Sequence, residues 1–168
     1  VTPPLYTASV PVFRHYIARL EGMVARAGGR AELMQARLQP DMFGFGQQVA
    51  TALRFSLRVS HPLAGQAVPP DPALGTDADG LAQRIALTRG ALDALDPAAF
   101  QGAEGRMIRH VAGFAELEQD GLTFLHRFGM PNFLFHTAMA FAILRANGVA
   151  VGKADFDGQH DYPPGFRF

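Results

Sequence analysis

The chain has 168 residues, 48% of them hydrophobic and 18% charged, with 15 basic residues against 15 acidic ones and no cysteine. That length suits one domain built around one core, and the composition is globular rather than disordered. Balanced charge without a basic run speaks against nucleic acid as a partner, and the lack of cysteine removes disulfide scaffolds and thiolate metal sites. No charged-then-apolar leader opens the chain. The uncharged run over 129–144 is too short for a membrane span. A soluble cytoplasmic protein is the expectation.

Apolar residues recur mostly at helical spacing. After Pro3 and Pro4, Ser9 is placed to cap a helix with Pro11 in its first turn. Phe13, Tyr16, Ile17, Leu20, Val24 and Ala27 then mark one face until Gly28-Gly29. A short helical piece over 31–38 leads to Pro40-Asp41. Asp41 can cap a second long helix, on which Met42, Phe45, Val49, Leu53 and Leu57 repeat. Gly44 and Gly46 there each cost about 1 kcal/mol of helix propensity against Ala, which points to close packing against a neighbouring helix or, failing that, to room for a bound molecule. Pro62 ends or kinks this helix, and a Pro/Gly-rich loop follows over 65–76.

Asp77 opens a third helix with Leu81, Ile85, Thr88, Leu92 and Leu95 on a seven-residue repeat, and Asp96-Pro97 stops it. Residues 98–105 look irregular, and 106–118 alternate around Ala112-Gly113 as a small β-hairpin would. Asp120 caps a short helix to Phe128 before the fourth long one. The long helices are therefore expected near 6–27, 41–61, 77–95 and 130–147. The fold class is all-α: a four-helix bundle of residues 1–168, with a hairpin or irregular insertion before its last helix.

The fourth helix, from Met130-Pro131 to Arg145, carries no charge before its end. A helix apolar all round belongs in the interior, so it should be the most buried of the four. It nevertheless holds Asn132 and His136, four apart and on one face. On the second helix Asp41 and Gln48, seven apart, also share a face. Buried polar groups need partners, so Asp41, Gln48, Asn132 and His136 are expected to meet in one interior cluster. It would serve either to specify the core or to bind a small polar molecule. Two members also have a plainer role: His136 as a core histidine with Asn132 and Gln48 as partners, and Asp41 as a helix cap. His110 and His126 could approach His136 if the hairpin folds over the bundle end.

Several blocks carry a resemblance. They are Leu5-Tyr6-Thr7-Ala8-Ser9-Val10-Pro11-Val12-Phe13, Ala36-Arg37-Leu38-Gln39-Pro40-Asp41-Met42-Phe43, Gln48-Val49 and Pro131-Asn132-Phe133-Leu134-Phe135-His136. To these add Ala142-Ile143-Leu144-Arg145 with Asn147-Gly148-Val149, and Gly152-Lys153 with Asp155. Together they are similar, over nearly the whole chain, to the bacterial family known as domain of unknown function 1993, which is placed among the DinB/YfiT-like four-helix bundles. The resemblance implies the bundle fold and a homodimer. It also raises a divalent metal, because DinB-like proteins often hold one with a His of the second helix and a His-x-x-x-His pair of the fourth. Here His136 matches the second member of that pair, Asn132 replaces the first, and the second helix has no His before His61. Neutral amides are poor zinc ligands, so no cofactor is expected.

Gly148-Val149-Ala150-Val151-Gly152-Lys153-Ala154 imitates a phosphate loop but has three residues between its glycines and no hydroxyl after Lys153. It also follows a helix, and no helix is expected after it. Lys153 and Asp155 instead should tie down a tail whose aromatic anchors are Phe156, Tyr162, Phe166 and Phe168. Two functions fit the sequence: a protein binding a small molecule at the polar cluster, or a metal-dependent hydrolase or thiol transferase of the DinB-like kind.

Overall fold

Helical periodicity decides most of the chain, and its departures fall where proline, glycine or a side-chain hydroxyl intervenes. The computed structural model describes residues 1–163, 165 and 166. Helix α1 (Pro4–Thr7) and helix α2 (Val10–Ala27) occupy the region expected as one helix. The break lies at Ala8-Ser9. Ser9 does not cap α2: its buried hydroxyl donates backwards to the Leu5 carbonyl of α1. Helix α2 buries Phe13, Ile17, Leu20, Met23 and Ala27, and ends on Gly28 with φ at 64°, a left-handed angle that suits glycine.

Helix α3 (Ala31–Gln35) precedes helix α4 (Phe45–Leu63), which begins four residues later than expected. The loop between them is pinned by the Phe45 N–H, which donates to the Ala36 carbonyl at 2.9 Å. Asp41 consequently lies in an exposed turn and caps nothing. The glycines at this helix start do mark close packing, Gly44 against the end of helix α3 as expected and Gly46 against the loop before the next helix. A Cβ on Gly46 would sit 2.1 Å from the Thr76 carbonyl oxygen, and one on Gly44 would sit 3.0 Å from that of Gln35. Pro62 is accommodated in the last turn of α4.

Asp77 caps helix α5 (Ala78–Asp93), accepting from the Gly80 N–H at 2.8 Å. Arg84 of α5 clamps the preceding loop through Asp71 at 2.9 Å and the Pro72 carbonyl at 3.1 Å. The stretch expected to be irregular contains two 3-10 turns, Pro97–Phe100 and Ala103–Gly105. Strands β1 (Met107–Ala112) and β2 (Ala115–Asp120) form the antiparallel hairpin, in register from Met107↔Asp120 to Ala112↔Ala115. The architecture is mostly helical with this one two-stranded sheet among the described residues.

Asp120 caps helix α6 (Gly121–Thr123) through the Thr123 N–H at 2.9 Å. A π-helical turn, Phe124–Gly129, then runs directly into helix α7 (Met130–Ala146), where a separate short helix was expected. The wide turn stands just before Pro131, which lacks an N–H and whose ring would press on the Arg127 carbonyl in an unbroken α-helix. The last helix, α8 (Lys153–Asp157), follows Gly152, where no helix was expected.

Helix α4 lies against both α7 and α5, while α2 contacts α5, α7 and α8. The most buried helix is α4, not α7: fourteen of its 19 residues are buried, against five of 17 in α7. Phe133, Ala140 and Ile143 of α7 do reach the core. Its other side, with Phe135 half exposed, has no charge to mark it as a surface. No helix of the described residues is long and apolar enough to cross a membrane.

Candidate functional site

Gln48 and His136 meet across the α4–α7 contact. Gln48 stands in the first turn of α4 and is 2% exposed; His136 stands in the second turn of α7 and is half-buried. The imidazole Nδ1 and the Gln48 Oε1 are 2.7 Å apart. Gln48 Nε2 points to the Phe43 carbonyl at 3.5 Å, which leaves Oε1 to accept. Nδ1 therefore carries the hydrogen and donates, and Nε2 is a lone-pair acceptor. Burial holds the His136 pKa below the ordinary histidine value, so the neutral ring predominates at neutral pH.

Rings surround this histidine. Phe43 and Phe55 stack against it at centroid distances of 6.2 Å and 5.5 Å, and Phe135 meets it edge-on at 5.2 Å. Phe43 is half exposed. It also lines an open cavity of about 300 Å³ together with Met34, Gln47 and Thr76.

The other two candidates do not join the pair directly. Asn132 lies one turn before His136, where its Nδ2 donates to the Phe128 carbonyl at 2.7 Å. That bond reaches a carbonyl within the π turn and leaves the amide oxygen as an acceptor. Asp41 faces solvent in its turn. The expected four-membered cluster is thus a hydrogen-bonded pair with Asn132 adjacent on the same helix face and Asp41 outside it.

The seam between α4 and α7 continues away from His136 through residues that sequence reasoning passed over. Phe55 packs on Phe128, with centroids 5.7 Å apart. The Arg58 guanidinium carbon lies 4.9 Å from the Phe55 centroid and 5.8 Å from that of Phe128. Arg58 Nη2 donates to the Val111 carbonyl of the hairpin at 2.7 Å. His110 also folds inward, its ring 4.2 Å from Phe128 and its Nε2 3.0 Å from Gln119 Oε1. His110 thus approaches His136 through Phe128 and Phe55, whereas His126 is exposed. Helical spacing was the available signal, since Phe55 follows Gln48 by seven residues and Arg58 follows Phe55 by three.

Beyond this seam, Asp155 accepts from the Gly152 N–H at 2.7 Å and pairs with Arg26 at 2.9 Å. That fulfils its expected tethering role, and Phe156 packs on Tyr16 and Phe141. Phe168 lies outside the described residues. Among the described residues no three of His, Cys, Asp or Glu stand close enough to hold a metal ion. Around His136 the polar neighbours are amides, a donor set that does not fit a three-ligand divalent site.

Three comparisons with known proteins bear on this geometry. A family model described as domain of unknown function (DUF1993) matches residues 5–157. The chain is also similar to the crystal structure of a DinB family member protein from Shewanella denitrificans, with a TM-score of 0.82 and 29% identity over 95% of this chain and 94% of that one. No curated protein matches.

Proposed function

Because the chain belongs to the DUF1993 family, whose description names no reaction, we propose a function from the site itself: binding of a small polar molecule at the α4–α7 seam. The supporting observation is the 2.7 Å bond between His136 Nδ1 and Gln48 Oε1. It fixes the imidazole tautomer and presents Nε2 as an acceptor between aromatic walls. Asn132, one turn away, adds an amide oxygen. Asp41 contributes nothing direct, being exposed in its own turn.

The four-helix-bundle reading of the fold belongs to this proposal, since α2, α4, α5 and α7 are the four long helices and α4 and α7 carry the pair. So do a cytoplasmic location and a homodimer. Metal-dependent hydrolysis or thiol transfer is the competing reading, and one strong ligand beside two amides argues against it.

A thermal-shift screen of neutral and charged metabolites tests the proposal. Ligands that raise the melting temperature of the wild type should lose that effect in His136→Ala and Gln48→Ala. Hits that stabilise all three proteins equally would place binding elsewhere. Elemental analysis of untagged protein decides the competing reading: stoichiometric zinc, nickel, manganese or iron would favour the enzyme.

A further inference from the structure

Away from the Gln48–His136 pair, the last turns of α7 border an open cavity of about 940 Å³, a size that suits a small molecule. Phe141 and Arg145 line it from α7, Lys153 and Phe156 from α8, and Tyr162 and Phe166 from the tail. Local periodicity explains the first four: Phe141 and Arg145 stand one turn apart on α7, as do Lys153 and Phe156 on α8. The cavity is a separate place from the seam. Phe141 follows His136 by five residues, which turns its side chain about 140° around the helix.

The walls are aromatic. Phe156 meets Phe141 edge-on at a centroid distance of 5.9 Å, and Tyr162 stacks on Phe166 at 4.9 Å. The rim carries two cations, and no acidic residue lines the cavity. Among the described residues neither Arg145 nor Lys153 forms an ion pair. Arg145 donates through Nη1 to the Val151 carbonyl at 3.1 Å, which leaves it further N–H donors. The carboxylates of α8 are engaged elsewhere, Asp155 with Arg26 and Asp157 with His160. Asp161 is exposed and lies outside the lining. Asp155 makes the tether expected of it and Lys153 together, so the Lys153 charge serves no contact within the chain. Two like charges beside one apolar hollow draw in an anion, and aromatic walls favour an aromatic body. We propose that this cavity binds a small aromatic organic anion, its charged group met by Arg145 and Lys153 and its ring by Phe141, Phe156 and Phe166. This site is additional to the polar-binding reading above and does not depend on it.

The test titrates 3-phenylpropionate, neutral 3-phenylpropanol, cationic 3-phenylpropylamine and acetate into the full chain, read by NMR. The phenylpropionate should saturably shift the Phe141 and Phe156 ring resonances and the Lys153 side chain, with a dissociation constant in the millimolar range. The His136 ring should stay still. The alcohol and acetate should each bind about tenfold more weakly, for want of the charge and of the ring respectively, and the amine more weakly still. Lys153→Gln should cost about threefold and Arg145→Gln/Lys153→Gln about tenfold. Lys153 is exposed and makes no bond that folding needs, so its single variant reads the charge alone. Equal affinities for the phenylpropionate and the alcohol, or wild-type affinity in the double variant, would overturn the proposal. So would shifts confined to His136, which would return binding to the seam. Affinity that falls as protein concentration rises would give the cavity to a second copy of the chain and likewise end the proposal.

Discussion

At His136 a single hydrogen bond joins two helices that are far apart in sequence, and its energy can be measured. Removing either partner strands the other in a largely dry place, a loss of about 1–3 kcal/mol. For a chain of this size that lowers the melting temperature by roughly 2–4 °C per kcal/mol. We expect His136→Ala and Gln48→Ala each to show such a drop, and the double variant to lose less than the sum. Additive losses would mean the two side chains are not coupled. A chelator should leave the melting temperature unchanged. The same histidine sets a pH dependence. Burial depresses the pKa of His136 and, outweighing a backbone hydrogen bond, that of His61. The unfolded chain then takes up protons before the folded one. Stability should be full above the ordinary histidine value near pH 6.5 and fall as pH drops through the two depressed values. Histidine-to-glutamine variants at both positions should flatten that slope. Asn132 and His136 were legible from spacing on one uncharged helix, and Gln48 from its own helix. Arg58 was not, because a long charged side chain folded along two phenyl rings looks in sequence like any solvated surface arginine.

At the level of elements, sequence and structure agree where period and punctuation coincide, as in α5 with its Asp77 cap, and in the hairpin. The start of α4 differs because a carboxylate after proline is a good capping signal, while the contact that overrides it, Phe45 to Ala36, is tertiary. The π turn was missed for a similar reason: Pro131 announces a helix start equally well as a local widening. Glycine substitutions separate these local and tertiary causes. Gly46→Ala would place a methyl 2.1 Å from the Thr76 carbonyl oxygen, so despite alanine's better helix propensity we expect a loss of about 1–3 kcal/mol from overpacking. Gly22→Ala, with nothing within 4 Å of its Cβ position, should instead gain about 0.5–1 kcal/mol. Urea denaturation of the two variants gives both numbers, and a stable Gly46→Ala would show that the loop before α5 can retreat from α4.

At the scale of the whole molecule, the uncharged sequence of α7 is only half explained by the core. Phe133, Thr137, Ala140 and Leu144 turn inward and are buried. Phe135, Ala138, Met139 and Ala142, spaced three and four apart, form a second stripe that is exposed or half exposed. In sequence alone, the absence of charge predicts burial within the chain. Burial against another copy satisfies the same composition, because a two-fold axis beside α7 would set this stripe against itself. Two alanines in the stripe would let the backbones approach, and Phe135 and Met139 would supply the apolar contact. A stable pairing needs about 800 Å² from each partner, so neighbouring surface must join the helix in the contact. We therefore expect light scattering at micromolar concentration to give twice the 18.1 kDa chain mass. Ala142→Glu should halve that mass without unfolding the chain, since it would bring like charges together across the axis while leaving the buried face of α7 intact. A wild-type protein that scatters as a monomer would end the homodimer reading, and a dimer that survives Ala142→Glu would move the interface away from α7.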